Sequence, residues 1–309
     1  MKNRYLVKAS GRRVGSRVGP SLMFFGGLLG VPLLGALMVV LGAEAELPLL
    51  AALGVMLGLV AFVGSVVLQW VFIFGAASRL RQGEAAVLRG DTGAATALAH
   101  YALERVFRAD FRMRAFYTLG LAAERAGHFV EAAELFALAE RGLPAMLARV
   151  HETRARALCS SHAAFCLAAA GSIPEAASAL GRAHALLPQV GRAGTFDGLL
   201  DDRAWGVGAA SMNTTVSEIE QRRDVRAVTT LAGALLAFKN GHYPSALDAF
   251  AMEGELLRWH TQPHEQALLS RIEREALARI GGGQYRGGAI VAQPDNLQDS
   301  WARAALGER

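Results

Sequence analysis

Cys159, His162 and Cys166 stand three and four residues apart, which on a helix puts two thiols and an imidazole on one face. By type these are zinc ligands. Three ligands from one straight helix rarely converge on a tetrahedral ion, so the pattern reads as buried thiols beside a helix-face histidine. His151-Glu152 and His264-Glu265 each begin like a zinc-protease helix, but Ala155 and Leu268 stand where the second histidine is needed. His260 and His264 are separated by Pro263, which interrupts the helix that would align them. No metal site is expected.

Other chemistry is equally thin. There is no G-x-x-x-x-G-K-[ST] loop, and the only lysines are Lys2, Lys8 and Lys239. A G-x-S-x-G elbow is absent. The glycines 281–283 and 287–288 follow no strand, so they do not read as a dinucleotide fingerprint and no cofactor is expected. Asp201, Asp202 and Arg203 form a charged cluster in a glycine-bearing stretch, read as a solvated loop. Asp201, Asp202, His162 and His264 are the only acid–base candidates, and the chain is not expected to be an enzyme.

The chain has 309 residues, 52% hydrophobic, with net charge +5. Lys2, Arg4, Lys8, Arg12, Arg13 and Arg17 crowd the first twenty residues without an acid, so the rest is close to neutral. A nucleic-acid binder needs a basic face on its folded body, and that class is excluded. Two cysteines without a partner in reach fit a reducing compartment.

No charge occurs over 26 residues between Arg17 and Glu44, or over 32 between Glu46 and Arg79. Roughly 20 apolar residues cross a bilayer, so two transmembrane helices are expected, joined as a hairpin within 21–78. Gly26 with Gly30, and Gly54 with Gly58, are spaced for close helix packing in lipid. Basic residues flank the runs and Glu44 and Glu46 lie between them. This predicts a multi-pass protein of the plasma (inner) membrane with both termini cytoplasmic. A cleaved signal peptide remains the alternative for the first run.

Beyond residue 76 the pattern is helical, rich in alanine, leucine, arginine and glutamate, and without period-two alternation. In Met113–Met146, Phe116 fills an early bulky slot and Leu119-Gly120 a Leu-Gly pair. Gly127 ends the first helix, Phe129 fills an aromatic slot, Ala132, Phe136 and Ala139 continue the buried face, and Pro144 closes the unit. Residues 157–190 and 227–260 repeat the scheme, and 76–109 does so weakly. The segment resembles a tetratricopeptide repeat, whose period is roughly 34 residues.

The resemblance implies an all-α chain: two transmembrane helices, then a tetratricopeptide-like α-solenoid of antiparallel helix pairs. The divisions expected are a basic cytoplasmic tail over 1–20, the hairpin over 21–78, repeats over 79–280 with 191–226 irregular, and a flexible tail over 281–309 in which 300–306 forms one short helix. Such arrays expose a concave groove. By resemblance its lining would be Arg114, Tyr117, Leu121, Glu124, Ser161 and Phe165. The expected function is a membrane-anchored scaffold for a protein or peptide partner on the cytoplasmic face, with the bilayer as second partner and no small-molecule substrate. The alternative is a subunit of a membrane complex assembled through the spans.

Overall fold

The computed structural model describes residues 4–6, 31–44, 47–105, 109–141, 149–190, 218–280 and 296–307. Every regular element among them is helical. We number the α-helices α1 (Val31–Glu44), α2 (Pro48–Leu88), α3 (Thr92–Arg105), α4 (Ala109–Arg125), α5 (Phe129–Arg141), α6 (Arg149–Ala169), α7 (Ile173–Leu186), α8 (Glu218–Lys239), α9 (Tyr243–His260), α10 (Pro263–Arg279) and α11 (Asn296–Leu306).

From α2 onward the helices come in pairs: α2 with α3, α4 with α5, α6 with α7, α8 with α9. One backbone device ends the first helix of each pair. At Gly127 (φ +74°) the chain turns left-handed, Gly127 N–H donates to the Glu124 carbonyl and His128 N–H to the Ala123 carbonyl. Those bonds satisfy carbonyls that the helix end orphans, and the conformation favours glycine. The same pair of bonds recurs at Gly90, Gly171 and Gly241. Alanine lines the contacts: Ala99, Ala115, Ala132, Ala164, Ala176, Ala234 and Ala246 are buried, which lets the helices approach closely. Larger side chains, Leu119, Phe136, Leu235 and Phe250, fill the wedges between them.

Gly120 marks the closest approach. A Cβ there would stand 2.7 Å from the Phe136 ring. That ring cannot retreat, because it stacks on His162 at 5.0 Å and meets Tyr117 edge-on.

Both ends of the chain are tied to this body. Tyr5 is buried, its hydroxyl 2.6 Å from His128 Nδ1 and its carbonyl 2.7 Å from His100 Nε2. Arg4 pairs with Glu131 at 3.0 Å. The basic tail is thus anchored at residues 4–6. In the C-terminal stretch α11 covers the short helix expected over 300–306, packs on α10 and buries Trp301, Ala302 and Ala305. Lys239 Nζ donates to the Leu306 carbonyl at 2.6 Å, closing the end of α11. The segment 191–217 lies outside the described residues, so the question of a loop or hidden repeat there does too.

The membrane expectation is also corrected. Among the described residues no helix is long and apolar enough to cross a membrane. This removes the two transmembrane helices, the multi-pass placement in the plasma membrane and the assignment of both termini to the cytoplasmic side. Within the first run the described helix is α1, Val31–Glu44. In α2, Ala76, Ala77 and Leu80 already belong to the core of the helical body, and Arg79, Arg81 and Glu84 follow.

The two helices form a hairpin with a tight seam. A Cβ on Gly54 would stand 2.8 Å from the Gly35 carbonyl, and one on Gly35 would meet Gly54 and Gly58. Gly54 is therefore a packing glycine whose partner is Gly35. A Cβ on Gly58 would meet nothing, and Gly26 and Gly30 lie outside the described residues. Leu33, Leu37, Leu49, Met56 and Leu59 are exposed on the hairpin.

Gly120→Ala should lose about 1–3 kcal/mol, because overpacking against Phe136 exceeds the helix-propensity gain. Gly181→Ala and Gly254→Ala, where a Cβ meets nothing, should gain about 0.5–1 kcal/mol. Urea midpoints of the three variants check this; a stabilised Gly120→Ala would contradict the packing.

Candidate functional site

Helices α2, α4, α6, α8 and α10, with the end of α9, meet around a cavity of about 190 Å³. Val87 and Leu88 come from α2, Tyr117, Leu121, Glu124 and Arg125 from α4, His162 from α6, and Val228 from α8. His260 ends α9, and Gln262, His264 and Glu265 open α10. The α10 start owes its position to sequence: Pro263 stands at its first residue, where the missing N–H costs nothing, and Gln262 and Glu265 form a reciprocal capping box.

The polar centre is a buried chain of bonds. Glu124 is 3% exposed. Its Oε2 lies 3.0 Å from His162 Nδ1 and accepts from Cys166 Sγ at 3.4 Å. His162 Nε2 faces the Tyr117 hydroxyl at 3.2 Å. The Glu124 carbonyl accepts from Trp301 Nε1 at 2.8 Å. Trp301 stacks on Phe165, meets Phe129 edge-on and meets His264 at 4.5 Å. Beside the cavity, Asp224 holds His260 Nδ1 at 2.9 Å and Arg154 at 2.8 Å.

Electrostatics follow from burial. For His162 burial opposes the charged form, but the charge and hydrogen bond of Glu124, helped by Glu265, outweigh it and raise the pKa. The Glu265 carboxyl is pushed up to about 7, first by burial and then by Glu124, against the Gln262 N–H, His162 and Arg125. Burial likewise drives the Tyr117 hydroxyl and the Cys159 and Cys166 thiols upward, so none is an activated nucleophile. His264 Nδ1 is buried and has no hydrogen-bond partner.

Comparison with family models finds no match, and comparison with curated proteins and with solved structures finds none either. The assignment to a membrane-anchored tetratricopeptide family is corrected accordingly. Two reasons are local: the bulky slot of the first helix holds Arg79, Ser160 and Thr230 in the other units, and the turn glycines are unevenly spaced. What the chain shares with that pattern is the helix–glycine turn–helix unit, which simple packing physics produces.

Of the six groove residues, Tyr117, Leu121 and Glu124 line the cavity. Arg114 does not; it is engaged bidentately by Glu84 at 3.0 Å. Ser161 is fully buried, bonded to Thr229 at 2.8 Å under α8. Phe165 is covered by Trp301. On α6 the residue that reaches the cavity is His162, one position from the expected register. The acid–base candidates His162 and His264 do share the cavity, whereas Asp201 and Asp202 lie outside the described residues. Glu265 was legible only as half of a failed zinc motif. Among the described residues no group of three His, Cys, Asp or Glu is placed to hold a metal ion.

Both shifts have one sign for stability. His162 and Glu265 hold protons in the folded state that they would release when unfolded. The Glu265 contribution is complete below about 4.5 and is lost as pH rises to about 7; that of His162 is lost above about 6.5. Urea midpoints should therefore fall from pH 5 to pH 8. Glu265→Gln, which keeps an acceptor for the cap, should flatten that fall and be the more stable at pH 8. An unchanged slope would show that Glu265 is ionised normally.

Proposed function

We propose that the protein is a binding module: an α-solenoid of antiparallel helix pairs whose first-helix face receives a segment of a protein or peptide partner. The observation that supports this reading is the cavity itself. Side chains from six helices converge there, an arrangement that costs two buried carboxyls and a histidine nitrogen without a hydrogen-bond partner. A fold that needed only to be stable would fill such a space with apolar side chains. Apolar walls with a few placed polar groups are the usual composition of a ligand site. Helical arrays use their stacked faces in the same way.

A catalytic reading has one observation in its favour, a carboxyl near neutrality in a cleft with three histidines. Against it stand the lack of an activated nucleophile and the commitment of His162 to Glu124 and Tyr117. We therefore read the site as one that binds, without cofactor or small-molecule substrate, and not as an enzyme centre. Nucleic acid is a poor partner for a cavity built on carboxyls.

The test is a photo-crosslinking amino acid at Leu88, which lines the cavity and is 63% exposed, against one at Met252, which is outside it and 80% exposed. In cells, position 88 should trap one discrete protein that position 252 does not. Equal trapping at both, or none at 88, would remove the reading.

A further inference from the structure

The cavity has a chemistry more specific than its shape. Three acceptor groups line it: the carboxyls of Glu124 and Glu265 and the imidazole of His264. His264 is 7% exposed, and its Nδ1 is the acceptor, in the appropriate tautomer, that no neighbour uses. A bare metal ion would need such groups within bonding distance of one point, and no three described residues offer that. A ligand suited to these acceptors brings its own donors.

The rest of the lining says what it must carry. Val87, Leu88, Leu121 and Val228 supply apolar wall, and Tyr117 supplies an aromatic ring. An alkyl stem ending in –NH₃⁺ meets these requirements together: methylenes against the wall and N–H donors for the acid side chains.

From this geometry we propose that the cavity is a binding site for an alkylammonium group, presented by a lysine side chain of the bound partner. The proposal rests on the protein-binding reading for the source of the amine, but not for the amine itself.

Charge around Glu265 supports the sign. From α4 it faces Glu124, Tyr117 and Arg125; from α6, His162 with Cys166 behind it; from α9, His260, which Asp224 of α8 holds; on its own helix, His264. Arg125 is the competing cation. Its guanidinium reaches toward the Gly90 turn, and its effect on Glu265 is the smallest of those acting. Each remaining cation is already paired: His162 with Glu124, and His260 with Asp224. Glu265 is the acid left for the ligand, and an incoming ammonium would displace its proton. With that carboxyl titrating at about 7, binding should strengthen about tenfold from pH 6 to pH 8.

The experiment titrates the full chain with n-butylammonium chloride at pH 6 and pH 8, read by ¹⁵N shifts of the histidine rings, with n-butanol as the neutral isostere. His264 and His162 should shift saturably with the amine and not with the alcohol, about tenfold tighter at pH 8. Glu265→Gln should lose at least tenfold at pH 8 while its other resonances stay in place. Identical responses to amine and alcohol, or full affinity in Glu265→Gln, would overturn the proposal. An acetylated, amidated Gly-Lys-Gly peptide distinguishes the sources: binding at least as tight as butylammonium supports a lysine, and no binding overturns the lysine in favour of a free amine. Butylammonium without effect, alongside a protein trapped at position 88, would overturn the ammonium assignment and leave the protein-binding reading standing.

Discussion

A carboxylate buried among stacked helices is tolerated only if it is paired and hydrogen-bonded, and Glu124 sets that condition for this chain. Its side chain requires His162 on α6 and takes the Cys166 thiol as a second donor. His162 in turn is held flat against Phe136, and Phe136 fits only because residue 120 has no side chain. The Glu124 carbonyl requires Trp301, which organises Phe129, Phe165 and His264 around itself. One acidic residue thus ties α4, α5, α6, α10 and α11 into a common arrangement. The dependence runs through contacts of fixed geometry, so a change at one of them is felt at the cavity.

The cavity is where these ties leave polar groups over. Glu265 serves α10 as a cap, which accounts for its place in the sequence, and the packing of α10 against α8, α9 and α11 then brings its carboxyl toward Glu124. The same packing traps an unpaired nitrogen of His264. Two buried acids near each other share their charge poorly, so one stays close to half-protonated at neutral pH. A site in that condition responds to an incoming positive charge by releasing a proton.

The helical pairs were legible because their signals are local. Gly127, Gly171 and Gly241 mark left-handed turns, and the alanines that follow mark close contacts. Tyr117, Leu121 and Glu124 were legible by position on a first helix. The register of α6 was not, since one residue decides whether Ser161, His162 or Phe165 faces the cavity, and that depends on α8 and α11 lying against the other sides. Glu265 and Trp301 were hidden for a related reason: burial arises from partners far away in sequence, and α11 follows a glycine-rich stretch that reads as a tail. The expectation of membrane helices rested on absence of charge; among the described residues no helix is long and apolar enough to cross a membrane, and the end of α2 belongs to the helical body.

The buried pairing at the cavity shows itself in the charge state of its acids. A ¹³C NMR titration of the glutamate carboxyls in the free protein measures it directly. Glu265 should titrate near 7, far from an ordinary glutamate, while His162 keeps both ring protons beyond pH 6.5. A Glu265 carboxyl ionising near 4.5, together with a neutral His162 at pH 6.5, would contradict the buried pairing on which the site is built.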